Sequence, residues 1–222
     1  MIKKIIIDPK NDVHYYKSGD FHTQFGAIKE RDIKNGIVKS NLGKEFVVFD
    51  ASFIDELTKI RRGPAITHPR DIGLIITTTG IGKESRVLDA GSGSGLLSSY
   101  LSNVGCKVYS YEVNKEFFKI AQLNHKDLGL EVELKNKDIH KGIEENGLDL
   151  VILDLPDPWN TLKHVHKALK NGAFLVCYLP TITQISKLVK NLDSKFYLWK
   201  VSEVLEREWH VEDLKVRPKN QM

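Results

Sequence analysis

The sequence predicts an open α/β sheet, doubly wound and mostly parallel, preceded by a small all-β unit. Three observations carry that expectation. From about residue 69 onward, β-prone runs alternate with helical patterns in a βαβαβ rhythm. Before about residue 58 there are only short β-prone runs separated by turn signals. Where the first strand of the later part gives way to a helix, the chain reads Gly91-Ser92-Gly93-Ser94-Gly95, a loop that permits close backbone approach.

In the first part, Lys3–Ile7, Phe25–Ile28, Gly36–Lys39 and Phe46–Phe49 read as strands. Turns at Ser18-Gly19, Lys34-Asn35-Gly36 and Leu42-Gly43 punctuate them. Such short, even spacing predicts a sheet-like or barrel-like β domain over residues 1–58, and its pattern reveals no ligand. Residues 59–222 form the second domain. Its first helix is expected over Asp71–Thr79, after the Pro69 start. Strands follow at Arg86–Asp89, Lys107–Glu112, Glu131–Lys135, Leu148–Asp154, Ala173–Tyr178 and Lys195–Leu205. The intervening helices are Leu96–Asn103, Lys115–Leu128, Trp159–Lys170 and Ile182–Leu192. There is no internal repeat.

Length and composition bound the function. The chain has 222 residues, 41% hydrophobic and 28% charged, as expected of a soluble globular protein with an ample core. No run approaches the roughly 18 apolar residues of a membrane span, and the apolar start at Ile5-Ile6-Ile7 stops too early, at Asp8-Pro9, for a signal peptide. A cytoplasmic location without membrane attachment is the expectation. The two cysteines, Cys106 and Cys177, have no Cys or His at metal-ligand spacing, so they read as core residues and no metal is expected. A balance of 33 Lys+Arg against 29 Asp+Glu is mildly basic, which suits a polyanionic partner without requiring one.

The glycine loop sits where a strand feeds a helix, so backbone N–H groups are expected to face a ligand. The dinucleotide fingerprint G-x-G-x-x-G would need glycine where Leu96 stands, which disfavours a nicotinamide cofactor. Glu112 follows at the next strand end, where a carboxylate can accept both hydrogen bonds of a ribose diol. Asp138 lies just past the third strand and can accept from an adenine amino group. The fourth strand runs into Asp154-Leu155-Pro156-Asp157-Pro158-Trp159, a turn that two prolines stiffen at the end of a central strand.

Acids at three consecutive strand ends, with the glycine loop at the first, are similar to the Rossmann-like sheet of S-adenosylmethionine-dependent methyltransferases. That similarity implies Asp89, Gly91, Ser92, Gly93, Ser94 and Gly95 around the methionine moiety, Glu112 on the ribose and Asp138 on the adenine. More particular stretches resemble the tRNA (adenine-58-N1) methyltransferase family over nearly the whole chain. They are Asp20–Gly26, Arg62–Asp71, Asp154–Trp159, Tyr178–Gln184 and Arg217-Pro218-Lys219. The resemblance implies methyl transfer to N1 of a T-loop adenine in tRNA, at position 58 with 57 as a second candidate. It also implies a homotetramer. Asp154 matches the family's catalytic acid and borders the cofactor; Tyr178 and His68 are candidates for stacking or positioning the base. Arg61, Arg62, Lys163 and Lys167 are candidate phosphate contacts.

Three departures from the family pattern are visible. His68 stands where the family usually has Tyr, and Ala65 where Gln is typical. After Arg217-Pro218-Lys219 the family continues with Gly-His-Thr and a final strand, whereas this chain reads Asn220-Gln221-Met222. A missing last strand, with an open edge between strands five and six, is therefore expected. The alternatives are a non-catalytic tRNA-binding subunit, a methyltransferase of proteins (an isoaspartyl enzyme, for example) or small molecules, and, more distantly, a nicotinamide-dependent oxidoreductase.

Overall fold

The computed structural model describes residues 2–63 and 66–219, and these fall into two compact units. One comprises residues up to Arg62 together with Gln122–Leu130; the other comprises Gly63–Ala121 and Glu131 onward.

The first unit holds β1 (Lys4–Ile7), β2 (Val13–Tyr16), β3 (Phe21–Thr23), β4 (Gly26–Ile28), β5 (Gly36–Lys39), β6 (Glu45–Asp50) and the short helix α1 (Phe53–Leu57). Four strands form an antiparallel sheet in the order β2-β1-β6-β5, and β3-β4 is a separate hairpin. Strand β6 shows why: Phe46 and Val48 point inward while Glu45, Val47 and Phe49 face out, the two-residue period of a sheet with one buried face. The core gathers Ile6, Tyr16, Ile28, Ile33, Phe46 and Val48. The turn after β1 is organised by Asp8, whose carboxylate accepts from the Lys10 and Asp12 amides and from His14 Nε2. Residues 122–130 belong here because Asn124 accepts from the Arg61 amide and donates back to Arg61 O, while Arg61 pairs with Asp127 at 2.7 Å.

The second unit contains α2 (Pro69–Thr79), β7 (Arg86–Ala90), α3 (Leu96–Asn103), β8 (Lys107–Tyr111), the first half of α4 (Lys115–Leu128), β9 (Val132–Lys135), β10 (Leu148–Leu153), α5 (Leu162–Ala168), β11 (Leu169–Cys177), α6 (Ile182–Asn191), β12 (Trp209–Glu212) and β13 (Lys215–Pro218). Five parallel strands form the sheet, ordered β11-β10-β7-β8-β9. This is the doubly wound arrangement the alternating pattern predicts. The inner strand β10 is buried at Leu148 and then continuously from Leu150 to Leu153, an apolar run of the kind a strand covered on both faces requires. Leu88, Tyr111, Ile139, Val151, Leu153 and Val165 belong to its core.

Two sequence expectations need correction. The expected helix Trp159–Lys170 is shorter: Pro158–Asn160 form a 3-10 turn, α5 covers Leu162–Ala168, and Leu169 and Lys170 already belong to β11. The expected strand Lys195–Leu205 does not form. Its β-branched and aromatic residues favour a half-buried pleat, but strand propensity is realised only against a neighbour. Among the described residues no strand lies beside it, and Tyr197 is 89% exposed. The sheet edge therefore falls at β11 itself, not between a fifth and a sixth strand. Among the described residues β12 and β13 pair only with each other.

Candidate active site at the switch point of the sheet

β7 and β10 are neighbours in the sheet, yet the chain proceeds from β7 toward β8 and β9 and from β10 toward β11. Connections that diverge in this way open a crevice at the carboxyl ends of the two strands. The glycine loop fills one side and Asp154 the other. Their closeness depends on Gly91, which has φ +96°, and a Cβ there would overlap the Asp154 backbone oxygen.

Most of the loop's amides are used within the protein rather than presented to a ligand, contrary to the sequence expectation. Gly91 N and Ser92 N both donate to Tyr111 O (3.0 and 3.2 Å), and Gly95 N donates to Ser92 O (2.7 Å). Gly93 N donates to Glu112 Oε2 at 2.8 Å. These bonds fix the loop on the end of β8. They leave the buried Ser92 hydroxyl with no hydrogen-bond partner among the described residues. Ser94 is buried beside it, one residue before the left-handed Gly95 that opens α3.

Three carboxylates converge here. Asp89, 1% exposed, accepts from Ser110 Oγ (3.0 Å), its register partner on β8. Burial pushes its pKa up to about 7; the Ser110 hydrogen bond opposes this, and the charges of Asp154 and Glu112 add to it. Glu112 is buried, with Oε2 on Gly93 N and Oε1 on Asn114 N (2.8 Å each), so each oxygen keeps lone-pair capacity for another donor. Asp154 is half-buried, and its carboxylate makes no hydrogen bond or ion pair among the described residues. Burial pushes its pKa up to about 6. Among the described residues no Lys or Arg pairs with any of the three, so the crevice is electrostatically complementary to a cation.

Asp138 caps a 3-10 turn at Ile139–Lys141 and is held by His140, whose hydrogen bond keeps its carboxyl below the ordinary range. Tyr178 N donates to Leu153 O (2.9 Å), which seats Tyr178 beside the end of β10. Its hydroxyl donates to Asp71 Oδ2 (2.8 Å) in the first turn of α2 and meets the His68 backbone amide. Burial, together with Asp71, pushes the Tyr178 pKa up to about 12. The His68 ring is exposed at the start of α2 and makes no hydrogen bond among the described residues. Ala65 lies outside the described residues. The Asp154–Trp159 turn is pinned from α6 by Gln184 Nε2 donating to Pro156 O (3.2 Å), and by Lys187 Nζ, 4.3 Å from the Trp159 ring centroid.

Sequence reasoning singled out no role for Ser110, Asp71 or His140. Ser110 follows from strand register, which sequence alone does not set. Asp71 stands inside Pro69-Arg70-Asp71, a stretch already singled out, yet its partner is 107 residues away. Neither cysteine joins the site: Cys106 is buried, and burial pushes the Cys177 thiol up to about 12.

A doubly wound sheet with a glycine turn and a cation-seeking crevice at its switch point defines the class of S-adenosylmethionine-dependent methyltransferases. Solved structures agree with this. A SAM-dependent O-methyltransferase from Thermotoga maritima superposes with TM-score 0.83 at 28% identity, covering 100% of this chain and 88% of that one. The tRNA (m1A58) methyltransferase TrmI from Aquifex aeolicus gives TM-score 0.77 at 28% identity, covering 99% and 91%. Within the class, residues 59–222 match the family described as tRNA methyltransferase complex GCD14 subunit, and the chain belongs to that family. Among relatives, the tRNA (adenine(57)-N(1)/adenine(58)-N(1))-methyltransferase TrmI of Methanocaldococcus jannaschii is 32% identical over 99% of this chain and 90% of its own length. The tRNA (adenine(58)-N(1))-methyltransferase TrmI of Thermus thermophilus is 34% identical over 88% and 81%.

Proposed function

We propose that the protein transfers a methyl group from S-adenosylmethionine to N1 of a T-loop adenine in tRNA, at position 58 and with 57 as a second target. The single observation that carries this is the unpaired Asp154 carboxylate, set against the glycine loop at the switch point of a family member's sheet. The 57/58 specificity in the name of the Methanocaldococcus relative supports the second target.

The residues fit the cofactor. An orphaned buried Ser92 hydroxyl offers a hydrogen-bonding group, and the Asp89–Glu112–Asp154 cluster complements a cationic ligand. In this reading Asp89 and Gly91–Gly95 surround the methionine moiety, Glu112 accepts from the ribose diol, and Asp138 accepts from the adenine amino group. When bound, S-adenosylmethionine supplies an electrophilic methyl group on a sulfonium centre.

The chain's own residues then supply position and field. Adenine N1 carries an available lone pair at neutral pH, so no general base is needed. Alignment of the base contributes roughly 7–11 kcal/mol of barrier lowering. As the base becomes cationic, the charge spreads to its exocyclic amine, and the Asp154 carboxylate accepts from that group. Tyr178, held by Asp71, fixes one wall of the acceptor side, and His68 offers an exposed ring for stacking. Reaching N1 requires flipping the base out, at a cost of a few kcal/mol. Arg61, Arg62, Lys163 and Lys167 offset that cost through phosphate contacts. We further assign the protein to the cytoplasm as a homotetramer; no described helix is long and apolar enough to cross a membrane.

The test is to incubate the protein with S-adenosylmethionine and unmodified tRNA transcript, digest the RNA, and detect N1-methyladenosine by mass spectrometry. Asp154→Ala should lower the rate about 10²–10³-fold while retaining cofactor binding. In the wild type the rate should rise with pH through about 6, because only ionised Asp154 balances the developing charge. A wild-type protein that binds no S-adenosylmethionine would sink the reading.

A further inference from the structure

His140 lies beside the acids of the site and stands outside every role assigned so far. Its ring bridges two carboxylates. Nδ1 lies 2.9 Å from Asp138 Oδ1, and Nε2 lies 3.1 Å from Asp157 Oδ1. An ionised carboxylate can only accept, so both ring nitrogens must donate to satisfy both contacts. Only the imidazolium does that, since a neutral ring would turn a lone pair toward one of the acids.

The two acids belong to different segments. Asp138 follows β9, and Asp157 lies in the acceptor turn three residues past Asp154. The surroundings hold each contact in place. Asp138 Oδ1 also accepts from the His140 amide (3.0 Å), and Asp157 Oδ2 accepts from Asn160 Nδ2 (2.7 Å). From α5, His164 Nε2 lies 3.1 Å from His140 O and fixes the backbone of the bridging residue. The charged and titratable groups facing the ring are therefore Asp138 on its own segment, with Lys141 nearby, Asp157 on the turn and His164 on α5. Partial burial disfavours the charged ring, but the bond to Asp138 and the charge of Asp157 outweigh it and hold His140 above its ordinary range.

The geometry points to His140 as a positioning residue, an imidazolium clamp that ties Asp138 to the acceptor turn through Oδ1 and leaves Asp138 Oδ2, which makes no hydrogen bond among the described residues, for a ligand. This rests on the reading of Asp138 as the acid that meets the cofactor's adenine. Loss of the proton frees one carboxylate, so the segment after β9 and the acceptor turn are no longer joined. Cofactor affinity should then fall as pH rises through the His140 titration.

Two measurements test the clamp. The first is NMR titration of the His140 imidazole in the wild type, Asp138→Asn and Asp157→Asn, which needs no cofactor. Each substitution should lower the His140 pKa, whereas an imidazole that titrates alike in all three overturns the clamp. The second is S-adenosylhomocysteine affinity by calorimetry from pH 5.5 to 9, in the wild type, His140→Ala and His140→Arg. At pH 6 His140→Ala should bind about tenfold more weakly, with the difference closing at high pH. His140→Arg, which can bridge two acids at every pH, should bind well and should lack the loss of affinity at high pH that the titration of His140 causes in the wild type. A His140→Ala protein with the wild-type pH profile overturns the proposal, since a merely structural loss would lower affinity equally at all pH. If the wild type binds no S-adenosylhomocysteine, the functional reading fails, and the NMR titration alone decides the clamp.

Discussion

The two sides of the crevice are built differently. On the side proposed for the cofactor, the backbone holds the glycine loop and Glu112: Glu112 sits on two amides, and the loop's own N–H groups bond to Tyr111 O, Glu112 and Ser92 O. On the acceptor side, long-range side-chain contacts do the work: Tyr178 to Asp71, Gln184 to Pro156, Lys187 over Trp159 and His140 to Asp157. A site held by backbone tolerates little change in shape. A site held by separate side-chain pins loses its parts one at a time and can be retuned by substitution. The cofactor side should therefore fail abruptly, and the acceptor side by degrees.

The largest effect should come from Gly91→Ala. The new methyl group overlaps the Asp154 backbone oxygen, and φ +96° is itself strained for any side chain. Loop and turn must separate, which alters both sides at once. We expect S-adenosylhomocysteine affinity to fall more than about 100-fold and the melting temperature to drop by several degrees. Wild-type affinity in this variant, read by calorimetry, would break the view that the backbone sets the cofactor side.

The next effect is one of pH. Asp89 is pushed up to about 7 and Asp154 up to about 6, both by burial first. Their folded-state pKa values lie above the unfolded ones, so the folded protein holds the extra protons. That contribution to stability is complete below about pH 4 and is lost as pH rises through about 6 to 7. The ligand-free protein should therefore melt roughly 3–6 °C higher at pH 5.5 than at pH 7.5, other groups being equal. A cationic ligand favours the ionised acids, so S-adenosylmethionine should stabilise more at pH 7.5 than at pH 5.5. Asp89→Asn should remove most of the pH effect, and an unchanged pH dependence in that variant would show that this acid is not its source.

The same contrast explains what the sequence discloses. The acids Asp89, Glu112, Asp138 and Asp154 were legible because each closes an apolar strand or follows one, and strand ends can be read from composition. Helices α3 and α4 were legible because an apolar stripe at helical spacing survives without knowledge of neighbours. Lys195–Leu205 misled for the complementary reason: a strand needs a partner, and sequence records only one side of a pairing. Strands β2 and β3 escaped notice because Val13-His14-Tyr15-Tyr16 and Phe21-His22-Thr23 are short and carry polar residues. The pins Asp71, Ser110 and His140 escaped because a register or a long-range approach creates them, and no local pattern distinguishes them from surface polar residues.

The smallest effect sharpens the comparison most. Tyr178→Phe keeps the ring and its packing, and removes only the hydroxyl that donates to Asp71 Oδ2. Asp71 still has Arg70 nearby (3.8 Å) and helix-start amides to neutralise it, so the carboxylate is not stranded. The loss should be that of one hydrogen bond to a charged acceptor at a partly buried site, about 1 kcal/mol of stability. If the hydroxyl only pins the wall of the acceptor side, cofactor affinity should stay unchanged and methyl transfer should slow about 3–10-fold. Asp71→Asn, which can still accept from the hydroxyl, should recover part of that rate compared with Asp71→Ala. A Tyr178→Phe protein that lost cofactor affinity instead would show that the Tyr178–Asp71 pin, like the His140 bridge, couples the two sides of the crevice and does not act on the acceptor side alone.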